Sequence, residues 1–266
     1  MQNFNYHTHT YRCGHADDTL MDEDYVKLFI DKGFKKIAFT DHAPQKNEID
    51  KRTYMRMKYS MKDEYLNSIR SLKDKYKDII DIETGFEIEY LPGKEESLFE
   101  LKKEVDKIVL GQHFVYDENN KNLKIFRHHD FSDEDLLKYA DYIKTAIEKG
   151  LPDIIVHPDL YMLARDSFND TEAKVAHIIC NAAEKYNIPL EINLTEANLY
   201  LIGRKNKIDY PSKEFWQIAS TYDIKVLYGI DAHYKNQILN YEECIEIVNN
   251  IIGEEKVKKL NFINNI

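Results

Sequence analysis

In Tyr6-His7-Thr8-His9 two histidines flank a single residue, so on an extended strand both imidazoles project from one face and can grip one cation. A pair with the same spacing, Asp231 and His233, stands near the other end of the chain in Gly229-Ile230-Asp231-Ala232-His233. Between them, Cys13-Gly14-His15-Ala16 puts His15 in a loop able to fold back over the first pair. Thr40-Asp41-His42 sets a carboxylate beside an imidazole: His42 is the candidate ligand, and Asp41 either orients a neighbouring ring or caps the next helix. Of the acids in Glu83-Thr84-Gly85-Phe86-Glu87, Glu87 follows a glycine that lets the backbone bend, and it is the candidate for bridging two cations. Glu83 and Glu89 are expected to be structural. His113 and His157 each come directly after an apolar run. Seven histidines and two carboxylates make nine donor groups. At about three or four protein ligands per ion, that number suits three cations better than one or two.

Such side chains need a scaffold that brings distant segments together. Short β-branched, apolar runs recur at Phe4–Tyr6, Lys36–Phe39, Ile79–Ile82, Lys107–Leu110, Asp153–Val156, Pro189–Ile192 and Lys225–Tyr228. Between them, apolar residues fall at helical spacing, as in Leu136, Ala140, Ile143 and Ile147, or Val175, Ile178, Ile179 and Ala182. Strands alternating with helices imply parallel strands joined by right-handed crossovers. Seven such units favour a (β/α)7 barrel, with a doubly wound sheet as the alternative. In a parallel barrel, catalytic side chains gather at the C-terminal rim, where all nine donors and also Glu191 and Asn193 are expected. With no repeat, low-complexity tract or Pro/Gly-rich linker, residues 1–266 read as one domain, its most polar stretch, Gln45 to Lys62, being a long loop.

The 266 residues are 43% hydrophobic, enough to bury a large core, and carry a formal net charge of −10. That charge repels polyanions and argues against nucleic-acid and membrane-surface partners, so an anionic substrate has to be captured locally by metal or arginine. The start of the chain lacks a basic segment followed by an apolar one, and no run is long enough to span a bilayer, so a cytoplasmic protein is expected. Cys13, Cys180 and Cys244 form no CxxC pair and indicate neither a disulfide framework nor a thiolate zinc site. Arg165 and Arg204 follow the fifth and sixth strands and are the candidates for holding a phosphate bidentately. His128, His129 and His177 are expected to be solvated or packed. The nineteen tyrosines are spread along the chain and form no stacking platform for single-stranded nucleic acid.

Taken together, HTH, CGHA, FTDHAP, GFEIEY, GQHF, IVHPDL, EINL and GIDAH resemble, in order and over essentially the whole chain, the polymerase and histidinol phosphatase (PHP) family, and within it the histidinol-phosphatase branch. The resemblance implies a distorted seven-stranded, TIM-barrel-like α/β fold with three divalent metals, commonly zinc, iron or manganese. It implies one metal at His7, His9, Glu87 and Asp231, a second at Glu87, His113 and His157, and a third at His15, His42 and His233, to which Asp17 could add. It also raises the weight of Arg165 and Arg204 as phosphate ligands. Where the family usually carries Gly-Ser-Val-His, this chain has Gly111-Gln112-His113, so the loop before His113 departs from the pattern.

The expected reaction is hydrolysis of a small phosphomonoester, most specifically L-histidinol phosphate in histidine biosynthesis. Hydroxide on the metals attacks phosphorus in line, with Glu87, Asp231 and His233 framing the reacting centre and no protein nucleophile required. A phosphorylated Cys13 trapped by mass spectrometry would contradict this. Other small phosphomonoesters, nucleotides and phosphotyrosine are competing substrates. The rival chemistry is that of metal-dependent amidohydrolases, which also begin with HxH in a barrel but place a bridging lysine or acid on the fourth strand, where this chain has His113. A binding domain that has lost its activity is the non-enzymatic alternative; such decay removes ligands, and here the full set is present.

Overall fold

The computed structural model describes residues 2–44, 55–117, 122–126 and 131–264. Its centre is an eight-stranded sheet in which every pairing is parallel: β1 (Phe4–Asn5), β2 (Lys36–His42), β3 (Asp81–Ile88), β4 (Lys107–Leu110), β7 (Ile154–Ile155), β8 (Leu190–Asn193), β9 (Lys225–Gly229) and β10 (Asn261–Phe262), in that order. β5 (Phe114–Asp117) and β6 (Asn122–Ile125) form a separate antiparallel hairpin. The sheet curls into a distorted, TIM-barrel-like half-barrel. The seven expected strands are present, with three main shifts. The second runs on to His42, the third begins at Asp81 and runs on to Ile88, so Glu87 lies within it, and the fifth shrinks to Ile154–Ile155.

The curl brings the first strand beside the ninth. A parallel bridge joins Thr8 to Ala232, with His9 N–H donating to Ala232 O at 3.0 Å and Ala232 N–H to His7 O at 3.1 Å. Below the bridge, side-chain amides replace the ladder. Gln2 donates to Tyr228 O at 2.7 Å and accepts from Tyr228 N–H at 3.0 Å, while Asn5 Oδ1 accepts from Ile230 N–H at 2.9 Å.

Strand parity decides what faces inward. Ile37 and Phe39, Ile108 and Leu110, Leu190 and Ile192, and Val226 and Tyr228 belong to the main core packed with the helices, whereas Ala38, Val109 and Leu227 join Phe4 and Tyr6 in a separate small cluster inside the curl. Continuing the inward parity toward the C-terminal rim gives His42, Glu87, Glu89, Gly111, His113, Glu191, Asn193 and Gly229, with Asp231 and His233 following just past the end of β9. Outside, helix Asp133–Glu148 buries Leu136, Ala140, Ile143 and Ile147 along one face, each large aliphatic side chain contributing about 1.5–3 kcal/mol. Ser132 starts it through a reciprocal cap with Asp135.

Candidate metal centre

Glu87 is fully buried at the centre of the rim, and its two oxygens face different rings. Oε2 lies 2.9 Å from His42 Nδ1, 3.6 Å from His9 Nε2 and 3.7 Å from His7 Nε2, while Oε1 lies 2.9 Å from His157 Nε2 and 3.6 Å from His113 Nε2. Asp231 Oδ1 is 3.1 Å from His9 Nε2, 3.4 Å from His7 Nε2 and 3.2 Å from His233 Nδ1. His233 Nε2 in turn sits 2.8 Å from His15 Nε2. All nine residues singled out in the sequence therefore meet in one place.

Two candidate ligand positions depend on unusual backbone. His157 has φ +33° and Asp231 φ +52°, in the left-handed region that non-glycine residues rarely occupy. Val156 faces the inner cluster, so a regular strand would turn His157 outward; the left-handed turn brings its ring back to Glu87. Two glycines keep space open. A Cβ on Gly111 would lie 1.8 Å from Glu87 Oε1, and one on Gly229 would lie 2.0 Å from Glu191 Oε2. Gly85 does not act as a hinge, contrary to expectation. It is mid-strand, paired to Thr40 and Lys107, where a Cβ would come within 2.7 Å of Lys107 O.

Several partners hold the rings from behind. Glu191 Oε2 is 2.9 Å from His7 Nδ1, and Asn193 donates to Glu191 at 2.8 Å. Thr195 Oγ1 donates to Asp231 Oδ2 at 3.0 Å, and Gln237 braces the turn by donating to Asp231 O and accepting from His233 N–H. Among the described residues Asp41 accepts from Thr10 and from His42 N–H and stands 3.6 Å from His9 Nδ1. Glu89, set aside as structural in the sequence, lies 3.1 Å from His113 Nδ1. Gln112, the departure before His113, is buried and exchanges hydrogen bonds with the Tyr90 backbone, continuing the ladder that presents His113. The signal for Glu191, Asn193 and Glu89 was parity: each is two residues from another inward-facing position.

The electrostatics fit a cation cluster. Burial works against charge on every group, yet neighbouring rings hold Glu87 and Asp231 well below the usual carboxylate range. For His7 and His9 the same penalty is outweighed by Asp231 with Glu191, and by Asp231 with Asp41, raising His7 well above its ordinary value and His9 to about 9. Burial and neighbouring imidazoles push His42 down to about 4 and His15 to about 2. Without hydrogen-bond partners among the described residues are His7 Nε2, His9 Nε2, His42 Nδ1, Glu87 Oε2 and Asp231 Oδ1, all buried. Orphaned donor atoms concentrated in one buried place are costly unless something positive satisfies them. Donor atoms of His9, His42 and His233, and those of His7, His9 and Glu87, lie within 4.8 Å of one another, close enough to share an ion. The nitrogen and oxygen donors suit zinc, iron(II) or manganese.

The rim opens into a cleft of about 730 Å³, walled by Phe126, Leu160, Leu163, Leu199 and Ile202, with Arg204, Lys235 and Asp17 along it. Arg204 is where the sequence expected a phosphate ligand. Arg165 is not: its guanidinium is committed to Glu172, to Asp133 at 2.8 Å and to Phe131 O at 2.8 Å, and it does not line the cleft. Close to a rim histidine in sequence, it instead pins two helix starts together. Asp17 spends one carboxylate oxygen on Thr19, and Cys13 is buried with its thiol pushed up by burial and Asp41, a poor nucleophile. His177 is exposed and bonded to Tyr222, and His128 and His129 lie outside the described residues. No helix among the described residues is long and apolar enough to cross a membrane.

Residues 5–195 match the PHP domain family model. A probable histidinol-phosphatase of Deinococcus radiodurans is 24% identical over 254 residues, 93% of each chain. Among solved structures, HisK from Listeria monocytogenes superposes with a TM-score of 0.73 at 24% identity, covering 88% of this chain and 97% of that one. Histidinol phosphate phosphatase from Lactococcus lactis, solved with zinc, L-histidinol and phosphate, gives a TM-score of 0.66 at 16% identity over 92% and 93% of the two chains.

Proposed function

The chain belongs to the PHP domain family, and from that membership we propose that this metal-dependent phosphatase hydrolyses L-histidinol phosphate, with water, to L-histidinol and phosphate at a three-cation site. The observation that carries the reading is the convergence of six imidazoles on Glu87 and Asp231, with His15 joined through His233, at the floor of a cleft edged by Arg204. The zinc, histidinol and phosphate of the Lactococcus relative support it from outside the chain.

His7, His9, Glu87 and Asp231 would hold one cation, Glu87, His113 and His157 a second, and His15, His42 and His233 a third. When bound, such cations lower the pKa of water, neutralise phosphate charge and stabilise the leaving oxygen. The protein does the rest. Glu191 fixes His7 and Asp41 faces His9, so the ring nitrogens turned inward are Nε2. Arg204 receives the phosphate as a planar fork, and the apolar walls exclude bulk water from the ester bond. The acidic surface and Asp17 favour a substrate whose leaving alcohol carries an amine.

A phosphodiester carries less charge and a second bulky substituent, so this site should reject it. We expect kcat/KM for histidinol phosphate at least roughly a hundredfold above that for nucleotides or diesters, equivalent to about 2.7 kcal/mol of differential transition-state binding. Steady-state assays on a phosphoester panel check this; a fully metallated protein that prefers an oligonucleotide or phosphotyrosine would sink the substrate assignment but leave the metal centre standing. Arg204→Ala should slow phosphomonoester turnover with metal content unchanged.

His42→Ala and His233→Ala provide a finer test of the third cation. Each should lose one ion per chain by elemental analysis while the other two stay. Loss of all ions together, or of none, would refute the partition.

A further inference from the structure

Glu89 follows Glu87 by two residues at the end of β3, so the pleat turns both carboxylates inward. Glu87 lies among the five rings, whereas Glu89 stands behind one of them, with its Oε1 3.1 Å from His113 Nδ1. Arg56 closes on the same carboxylate as a two-pronged fork: Nη1 donates to Oε2 at 2.9 Å and Nη2 to Oε1 at 3.0 Å. Nη1 also donates to Ala43 O at 3.3 Å, and Ala43 N–H donates to Glu87 O at 2.8 Å. One guanidinium thus ties the strand end after His42 to the acid behind His113. Glu89 and Arg56 are both buried, at 3% and 7% exposure.

We propose that Glu89 and Arg56 are a positioning pair for the reaction, fixing His113 with its proton on Nδ1 and its Nε2 lone pair toward Glu87, where the second cation would sit. This rests on the three-cation reading above. A carboxylate held by an arginine fork offers His113 only acceptor oxygens, so the proton between them belongs to the imidazole. His113 Nε2 is 3.6 Å from Glu87 Oε1, room for a shared ion rather than a direct hydrogen bond. His157, the other ring facing Glu87 Oε1, has no partner on Nδ1 among the described residues. Among the described residues His113 is therefore the only braced imidazole on that side, and the brace decides how firmly the ion is held.

The test uses the full chain loaded with zinc, as native protein, Glu89→Ala and Glu89→Gln. Ions retained are counted by elemental analysis against graded chelator, and long-range 1H–15N spectra of the histidine rings report the His113 tautomer. In Glu89→Ala one ion per chain should be held roughly 10–100-fold more weakly, with the other two unchanged and the His113 proton no longer confined to Nδ1. Glu89→Gln keeps one acceptor oxygen and should fall between Ala and native, a graded response that mere loss of packing would not give. Should the alanine variant fail to fold, the glutamine variant decides alone: native chelator resistance with an unchanged tautomer overturns the proposal, and weaker retention of one ion supports it. Equal retention of every ion in a folded Glu89→Ala also overturns it. A native protein that retains no zinc under these conditions would instead overturn the cation-site reading itself.

Discussion

Asp231→Asn is expected to abolish turnover and lower the metal content of the purified protein. Asp231 Oδ1 lies within 3.4 Å of ring nitrogens from three histidines, His7, His9 and His233, and no other group among the described residues bonds to it. Oδ2 is different, since Thr195 donates to it and it stays anchored. The substitution preserves shape and removes the charge, leaving a neutral amide whose N–H2 faces imidazole nitrogens that must be bare to bind a cation. The loss should exceed the roughly 10–100-fold typical of an outer partner of a metal site, because the group changed is one that would face the cation directly. His9→Ala should behave alike, since His9 Nε2 is 3.1 Å from Asp231 and 3.6 Å from Glu87. Either variant with full activity and native metal stoichiometry would refute the site.

Gly111→Ala should be nearly as damaging although it adds a single methyl. No chemistry belongs to Gly111, yet a Cβ there would meet Glu87 Oε1 at 1.8 Å, Glu87 Cδ at 2.8 Å and His157 Cε1 at 2.7 Å. None of these can retreat cheaply: Glu87 is fully buried among five rings, and His157 already sits on a left-handed turn. We expect a loss of at least roughly a hundredfold in kcat, the scale on which misplaced catalytic groups are felt, together with loss of metal. Gly229→Ala is the internal comparison. Its Cβ would strike Glu191, which acts on His7 from behind, so a smaller loss is expected. A Gly111→Ala protein with native kinetics and metal content would show that Glu87 is not held where the structure puts it.

The sequence made the site legible because its residues are spaced along strands. The HxH pair keeps one face and a lone histidine after an apolar run marks a strand end, whereas Asp231 reaches the site from a left-handed position just past β9. The seven parallel strands were readable for the same reason, since buried β-branched runs leave few alternatives. What escaped has physical causes. β10 is two residues long, partly exposed and paired along one edge only, too short for any periodic signal. The β5–β6 hairpin alternates around Phe114, Tyr116, Leu123 and Ile125 but was overshadowed by the histidine before it. Arg165 pairs with Asp133 and Glu172, and its sequence distance from a rim residue says nothing about which acids lie nearby in space. Glu89 carries the parity signal, but Arg56 and Gln112 reach the site only through other residues, Arg56 through Glu89 and Gln112 through the Tyr90 backbone, and such links are visible only as contacts.

The seam between the first and ninth strands has a bearing on biosynthesis. Gln2 and Tyr228, whose side chain and backbone clasp each other across it, are 226 positions apart in the chain. At about 5–20 residues per second of synthesis, His7 and His9 leave the ribosome roughly 10–45 s before Asp231 and His233 exist. During that interval the earliest ligands have neither the bridge at Ala232 nor the acid facing them, and the half-made curl offers open strand edges. Formation of the site thus waits on this late segment, so a product ending before residue 225 would lack the ninth strand, Asp231 and His233 together, and with them the acid that faces His7 and His9.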